Sequence, residues 1–261
     1  MNIEILPLTG AVKYLGWKFS FDHFQGIELQ NRIRVAWAKF MAQKQELTGK
    51  DYALKVRLRL FEAVVSPCLL YGCEAWTLTK TDEYLLQRTQ RKMLRMILGA
   101  KRRMIQRSTD EHESETTDDK AEVDDMDEDE VLEPWVDWVK RTTRTIEGEM
   151  NKLNIKNWVH QARARKWNYA KRLMTHDESR WTRVALDWNP ELHFDGTSFR
   201  SIQGSRAQGR PHTRWSDELA NFMTSMELET TWMELAKQTR IWDELKTTFR
   251  RDELRFSRHQ E

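Results

Sequence analysis

Lys55–Leu78 reads KVRLRLFEAVVSPCLLYGCEAWTL. Leu54, Leu58, Phe61 and Val65 recur at helical spacing, while Lys55, Arg57 and Arg59 lie off that stripe. The period predicts an amphipathic helix that Pro67 kinks or ends, because proline brings no N–H and crowds the preceding turn. Beyond Pro67 stand Cys68 and Cys73, the 2 cysteines of the 261-residue chain. Their spacing puts them on different sides of a helix, and a structural zinc needs about four ligands. So low a cysteine content is far from a secreted disulfide framework and points to a reducing compartment. No histidine lies nearby in sequence to activate a thiolate. The stretch therefore reads as packing: Leu69, Leu70, Tyr71 and Trp76 are its apolar content, and the cysteines are small buried side chains.

Upstream, Ile3, Ile5, Leu6 and Leu8, then Val12, Tyr14, Leu15, Trp17 and Phe19, are β-branched, aromatic and partly alternating. With Pro7, Thr9 and Gly10 near the break, they predict two short strands forming a hairpin. From Ile27 the period turns helical: Leu29, Ile33, Ala36, Trp37, Phe40, Lys44 and Leu47 share a stripe that Arg32, Arg34 and Lys39 avoid, and Gly49 ends it. Thr79–Asp82 fits a capping box that opens a further helix. Its core is Leu85, Leu86, Met93, Leu94 and Ile97, Gly99 stands where a C-cap belongs, and Arg88, Arg91, Lys92 and Arg95 share the solvent side. After an acidic run, Pro134 suits a helix start, followed by Trp135, Trp138, Val139, Thr142 and Ile146. Helical stripes then recur at Trp158, Ala162, Tyr169 and Leu173, at Trp181–Trp188, at Trp215, Leu219, Phe222 and Met223, and at Trp232, Leu235, Ala236, Trp242, Leu245 and Phe249. The expected fold is mainly α, with a short β-hairpin in residues 1–26 and a helical bundle in 27–107. An acidic disordered linker over 108–133 and a second small helical lobe over 134–261, with a basic loop at 189–213, complete it.

The formal net charge of +2 hides an asymmetry. Asp110–Glu133 holds 14 acidic residues against Lys120, whereas residues 1–109 hold 19 Lys and Arg against 9 acidic residues. Basic segments on both sides of an acidic tether suit a polyanionic partner, although solvated helix faces carry the same residues. No apolar run reaches about 18 residues, so no membrane span is expected. MNIEILPLTG lacks the regions of a signal peptide, and an intracellular place in nucleus or cytoplasm is expected.

Several motifs look chemical. In Glu122–Met126, EVDDM, adjacent aspartates could hold metal ions, but no apolar strand flanks them and other acids crowd the same tract. Gly209-Arg210-Pro211 matches the short core of a minor-groove hook, without flanking cations. The histidines at 23, 112, 160, 176, 193, 212 and 259 never pair with cysteine at zinc spacing. Hydrolase and nucleotide-triphosphatase motifs are absent, and the scattered acids Asp177, Glu178, Asp187 and Asp195 show no nuclease spacing. The basic faces of three successive helices suit tracking of a phosphate backbone without sequence readout.

The order of blocks resembles the reverse transcriptases of non-LTR (LINE-type) retrotransposons. KYLGWKFS at Lys13–Ser20 looks like the hairpin that closes their palm, followed by IELQNRIRVAWAKF, Lys55–Leu78, and LLQRTQRKMLRMILG at Leu85–Gly99. KWNYAKRL, LDWNP, SRAQGRPHTRW at Ser205–Trp215 and TWMELAKQTRIWDEL at Thr231–Leu245 resemble a tail of the same polyproteins. Asn168 and Tyr169 stand where that tail often has Gly-His, and the acidic tether is not part of the pattern. The resemblance implies that Tyr14, Leu15 and Gly16 form a primer grip and that the following helices form a thumb. It further implies that Lys13, Arg32, Arg34, Lys39, Arg57, Arg59, Arg88, Arg91, Lys92, Arg95, Arg206, Arg210 and Arg214 touch the nucleic-acid backbone. Catalytic aspartates and their Mg2+ belong to a palm upstream of the hairpin, so this chain is expected to be a fragment with no cofactor of its own and no polymerase activity alone. The implied partners are RNA or an RNA–DNA hybrid, and the separate palm. Two other readings stay open: a helical interaction protein with no nucleic-acid role, and an A·T-rich DNA binder acting through Arg210.

Overall fold

The computed structural model describes residues 10–20, 24–106, 130–177, 179–187, 192–194, 199–201 and 214–251. The fold is mainly α. Strands β1 (Val12–Tyr14) and β2 (Trp17–Phe19) precede α1 (Phe24–Ala42), α2 (Lys44–Thr48), α3 (Leu54–Val64), α4 (Ser66–Leu69), a 3-10 turn at Cys73–Ala75 and α5 (Lys80–Leu98). Then come β3 (Met104–Gln106), β4 (Glu130–Leu132), α6 (Trp135–Lys152), α7 (Trp158–Thr175), α8 (Trp181–Asp187), β5 (Leu192–Phe194) and β6 (Phe199–Ser201). Helices α9 (Asp217–Ser225), α10 (Trp232–Lys237) and α11 (Thr239–Arg251) follow. Each strand pair is a two-stranded antiparallel ribbon. Among the described residues, no helix is long and apolar enough to cross a membrane.

Local signals account for many boundaries. Thr79 and Asp82 cap α5 reciprocally: the Asp82 carboxylate accepts from the Thr79 N–H at 3.0 Å, and the Thr79 hydroxyl accepts from the Asp82 N–H at 3.2 Å. Gly99 ends α5 at φ 64°, a left-handed position where a side chain would be strained. Pro67 sits within the first turn of α4, where its missing N–H leaves no ladder bond unmade.

Other boundaries depart from expectation. The run expected to be the second strand itself turns at Leu15–Gly16, with Tyr14 opposite Trp17; the expected first strand and the break at Pro7 and Thr9 lie outside the described residues. Positive φ at both Leu15 (46°) and Gly16 (85°) gives a turn whose twist matches the strands it joins. The helix expected from Ile27 to Leu47 divides at Gln43, which leaves helical geometry at φ −113° and ψ 20°. Glu130–Leu132, inside the segment that charge assigns to a linker, is strand β4, paired with β3. Residues 107–129, with EVDDM, lie outside the described residues. Part of the expected basic loop pairs as β5 and β6, and 202–213 is likewise outside the described residues.

The chain groups into two compact units that interleave in sequence: Met1–Ala36, Ser66–Gln87 and Lys156–Glu261 in one, Trp37–Val65 and Arg88–Ile155 in the other. In the first, α7 gathers the core. Trp167 stacks on Trp242 with centroids 3.6 Å apart, and each indole N–H donates to the other residue's carbonyl, at 2.9 and 3.1 Å. Phe249, Phe222, Leu219, Leu235 and Ala236 close around them. The same helix holds Ser66–Trp76: Trp158 donates its indole N–H to the Ser66 hydroxyl (2.8 Å), Arg165 reaches the Leu70 carbonyl (2.9 Å), and Lys166 reaches the Trp76 carbonyl (3.3 Å). Buried charges on α7 are matched. Arg163 pairs with Glu83 and Glu218, and Lys166 pairs with Glu218 at 2.8 Å. The second unit buries Phe40, Leu47, Leu58, Phe61, Leu94, Ile97 and Ile146.

Two ionisable groups tie the units' stability to pH in separate windows. Burial, with Arg163, Arg250, Arg251 and Lys156 around it, pushes His160 down from 6.5 to about 4. Between those values the unfolded chain takes up a proton that the folded chain refuses, so stability falls as pH drops through that window. Hydrogen bonds from Arg141 hold Glu133 down from 4.5 to about 2, so its contribution is full above 4.5 and is lost only as pH falls towards 2. Urea midpoints of His160→Gln should show a shallower loss of stability between pH 6.5 and 4. An unchanged slope there would contradict the assignment.

Candidate nucleic-acid interface

The first unit presents the hairpin tip. Tyr14 and Leu15 are 62% and 74% exposed. What orients them lies beneath. Arg32 donates to Glu28 and to the Gly16 carbonyl, and its guanidinium lies 4.5 Å from the centre of the Tyr71 ring. Tyr71 in turn donates its hydroxyl to the Leu15 carbonyl at 3.2 Å. Glu28 accepts the Lys18 N–H at 2.7 Å and an Asn31 amide N–H at 3.3 Å, so its buried carboxylate is fully used. Gly72, at φ 70°, lies against Trp17: a Cβ there would stand 2.2 Å from the indole ring. Trp17 stacks on Phe24 at 5.8 Å. The segment Tyr71–Gly72 thus fixes both sides of the turn.

This geometry corrects one expected backbone contact. Arg32 is 6% exposed and its Nε and Nη2 groups donate inside the unit, so it is not placed to meet phosphate. Lys13 and Arg34 are exposed, and so is Arg214 beside α9. Arg206 and Arg210, with the Gly209-Arg210-Pro211 motif, lie outside the described residues.

The second unit requires a similar sorting. Arg57 is 7% exposed and donates to the carbonyls of Tyr52 (3.0 Å), Leu47 (3.5 Å) and Ile97, at the end of α5. Arginine can satisfy the last carbonyls of a helix in this way, and Arg57 is accordingly also corrected from surface contact to internal cap. On α5, Arg91 pairs with Glu147 at 2.7 Å and Arg95 donates to the Thr143 hydroxyl at 3.1 Å, so both turn towards α6. Burial, and then the neighbouring Arg91, lower the proton affinity of Arg95. Arg88 and Lys92, one helical turn apart, remain exposed. The Lys92 ammonium lies 5.5 Å from the Trp37 ring centre, and Lys39 follows on the same helix as that ring. Arg59 is exposed on α3. Trp37, assigned by its stripe to the core, is half-exposed beneath this cation, a role that periodicity alone does not distinguish from packing.

Elsewhere the chemistry is quiet. Burial pushes the Cys73 thiol up to about 12 in spite of Arg165, and neither cysteine is bonded to the other. Among the described residues no group of His, Cys, Asp and Glu could hold a metal ion. An open cleft of about 510 Å³ on α7 is lined by Glu74, Arg165, Asn168, Lys171, Arg172 and Asp243, with Lys171 neutralised by Asp243 at 2.8 Å.

No protein-family model matches the chain, and no solved structure matches it. The chain is similar to a transposon-derived protein. That relative, an uncharacterized protein of Caenorhabditis elegans, is 25% identical over 233 residues, covering 88% of this chain and 67% of its own length. The similarity points to a transposon-related origin.

The underpinning of the hairpin is open to test. Gly72→Ala and Arg32→Met should each speed hydrogen exchange across Val12–Phe19 by about tenfold or more, with the Trp167–Trp242 core unchanged. Unaltered exchange in the hairpin would show that Tyr71–Gly72 and Arg32 do not hold it.

Proposed function

We propose that this chain is the nucleic-acid-holding part of a non-LTR retrotransposon reverse transcriptase, its thumb and tail, acting on RNA or an RNA–DNA hybrid. The transposon-derived relative and the ordered blocks from Lys13 to Gly99 support that reading. The observation that carries it is the sorting of cations in the second unit. Arg91 and Arg95 are tied to α6, whereas Arg88 and Lys92 face solvent, and the Lys92 ammonium lies over Trp37. Exposed cations on a rigid helix suit contact with phosphates, which positions a duplex without reading its sequence.

In this reading Arg88, Lys92, Lys39 and Arg59 track the backbone on one unit. On the other, Lys13 and the exposed Tyr14–Leu15–Gly16 turn meet the primer end, and Arg34 and Arg214 add contacts. Catalytic aspartates and Mg2+ would come from a separate palm, and the chain alone would bind without polymerising.

Fluorescence anisotropy with a labelled RNA–DNA hybrid tests the assignment. Arg88→Glu combined with Lys92→Glu should weaken binding at least about tenfold. Arg240→Glu, on an exposed residue paired with Glu244, should leave it unchanged. Equal effects from the two, or none from the first, would remove α5 from the interface.

A further inference from the structure

The cleft of about 510 Å³ on α7 has its described lining within the first unit, with Glu74 of the 3-10 turn and Asp243 of α11 as its walls. Arg165, Asn168 and Arg172 fall at i, i+3 and i+7 along α7 and make one exposed ridge through it. Each arginine is held from behind. Arg165 donates to the Leu70 carbonyl at 2.9 Å. The Arg172 guanidinium lies 5.6 Å from the centre of the Tyr169 ring, which is set edge-on against Trp215 at 5.9 Å. Neither arginine has a carboxylate partner among the described residues. Lys171 spends its charge on Asp243 at 2.8 Å, which leaves Glu74 as the unpaired carboxylate of the described lining. The Glu74 backbone is fixed, since its carbonyl accepts the Trp215 indole N–H at 2.7 Å.

Guanidinium groups fixed in place without an acid are matched to phosphate, whose oxygens take their fork of N–H donors. The two stand roughly 10 Å apart along the helix axis, too far to share one phosphate, and suit separate phosphates of one strand. A recess of this size takes a ligand-sized length of unpaired strand, not the width of a duplex. Between the arginines, Asn168 offers the amide donor and acceptor that read a base edge. Glu74 repels phosphate but can accept a hydroxyl, and a carboxylate on a ribose 2′-hydroxyl tells RNA from DNA. We propose that this cleft binds unpaired RNA, with Arg165 and Arg172 on its phosphates, Asn168 on a base and Glu74 on a 2′-hydroxyl. These residues are distinct from those assigned to the duplex on α5, so either site can fail without the other.

The full chain is titrated with a fluorescein-labelled oligoadenylate decamer and followed by anisotropy, with the deoxyadenylate decamer, ADP and polyglutamate as competitors. Arg172→Glu should weaken the RNA about tenfold or more, and Asn168→Ala about threefold. Because both residues are exposed, thermal midpoints should not move. RNA should bind about fivefold tighter than its deoxy counterpart, and Glu74→Ala should cut that preference below about twofold. Absence of decamer binding by the native chain, or full affinity in Arg172→Glu, would overturn the proposal. So would competition by ADP or polyglutamate as strong as that by RNA, or equal affinity for the two decamers. If Arg88→Glu with Lys92→Glu lowers decamer affinity as much as Arg172→Glu does, the strand lies on α5 and the cleft is not its site.

Discussion

Lys166 and Arg163 carry their charges into the interior of the first unit, and the arrangement around them determines what the hairpin can present. Each is almost fully buried, and Glu83 and Glu218 neutralise them. Taking such charges out of water costs several kcal/mol per ion unless partners and hydrogen bonds are all in place. Lys166 also donates to the Trp76 carbonyl and lies 5.2 Å from the Trp215 ring, whose N–H donates to the Glu74 carbonyl at 2.7 Å. The result is directional. Helix α7 fixes Ser66–Trp76, Tyr71 and Gly72 in that stretch fix Leu15, Gly16 and Trp17, and the tip of the hairpin stands exposed at the end of the series.

Several parts of this were legible in the sequence. The Thr79–Asp82 capping box, Gly99 at the end of α5 and the Leu58–Phe61 stripe are local signals, set by residues within a few positions, and the fold follows them. Cys68 and Cys73 read as buried packing residues; the thiol of Cys73 is buried and its pKa raised, whereas Cys68 is only half-buried. Alternation alone does not reveal the turn at Leu15–Gly16, because Leu15 continues the apolar run from Tyr14 to Trp17; the resemblance of Lys13–Ser20 to a hairpin is the signal that points to it.

The cations show where one-dimensional reading stops. Off-stripe position on a helix predicts exposure, and Arg32 and Arg57 meet that criterion. Their partners, the Gly16 and Ile97 carbonyls, are 16 and 40 residues away and cannot be seen from helical phase. The same holds for Arg91, whose partner Glu147 is 56 residues on. Likewise, the run of acids suggests separation of what lies on either side of it, yet α7 gathers with Ser66–Gln87 in one unit, a long-range pairing that composition does not encode.

What remains exposed in the second unit is a smaller and more specific set of charges: Arg88 and Lys92 on α5 and Arg59 on α3, with the half-buried Lys39 near Trp37 in sequence; Lys13, Arg34 and Arg214 stay exposed in the first. If these meet phosphates, binding must release counterions in proportion to the contacts made. The decisive measurement is the affinity of the chain for an RNA–DNA hybrid across salt concentrations from roughly 50 to 200 mM. A slope of log affinity against log salt of about −3 or steeper is the expected result. A flat dependence would contradict the account.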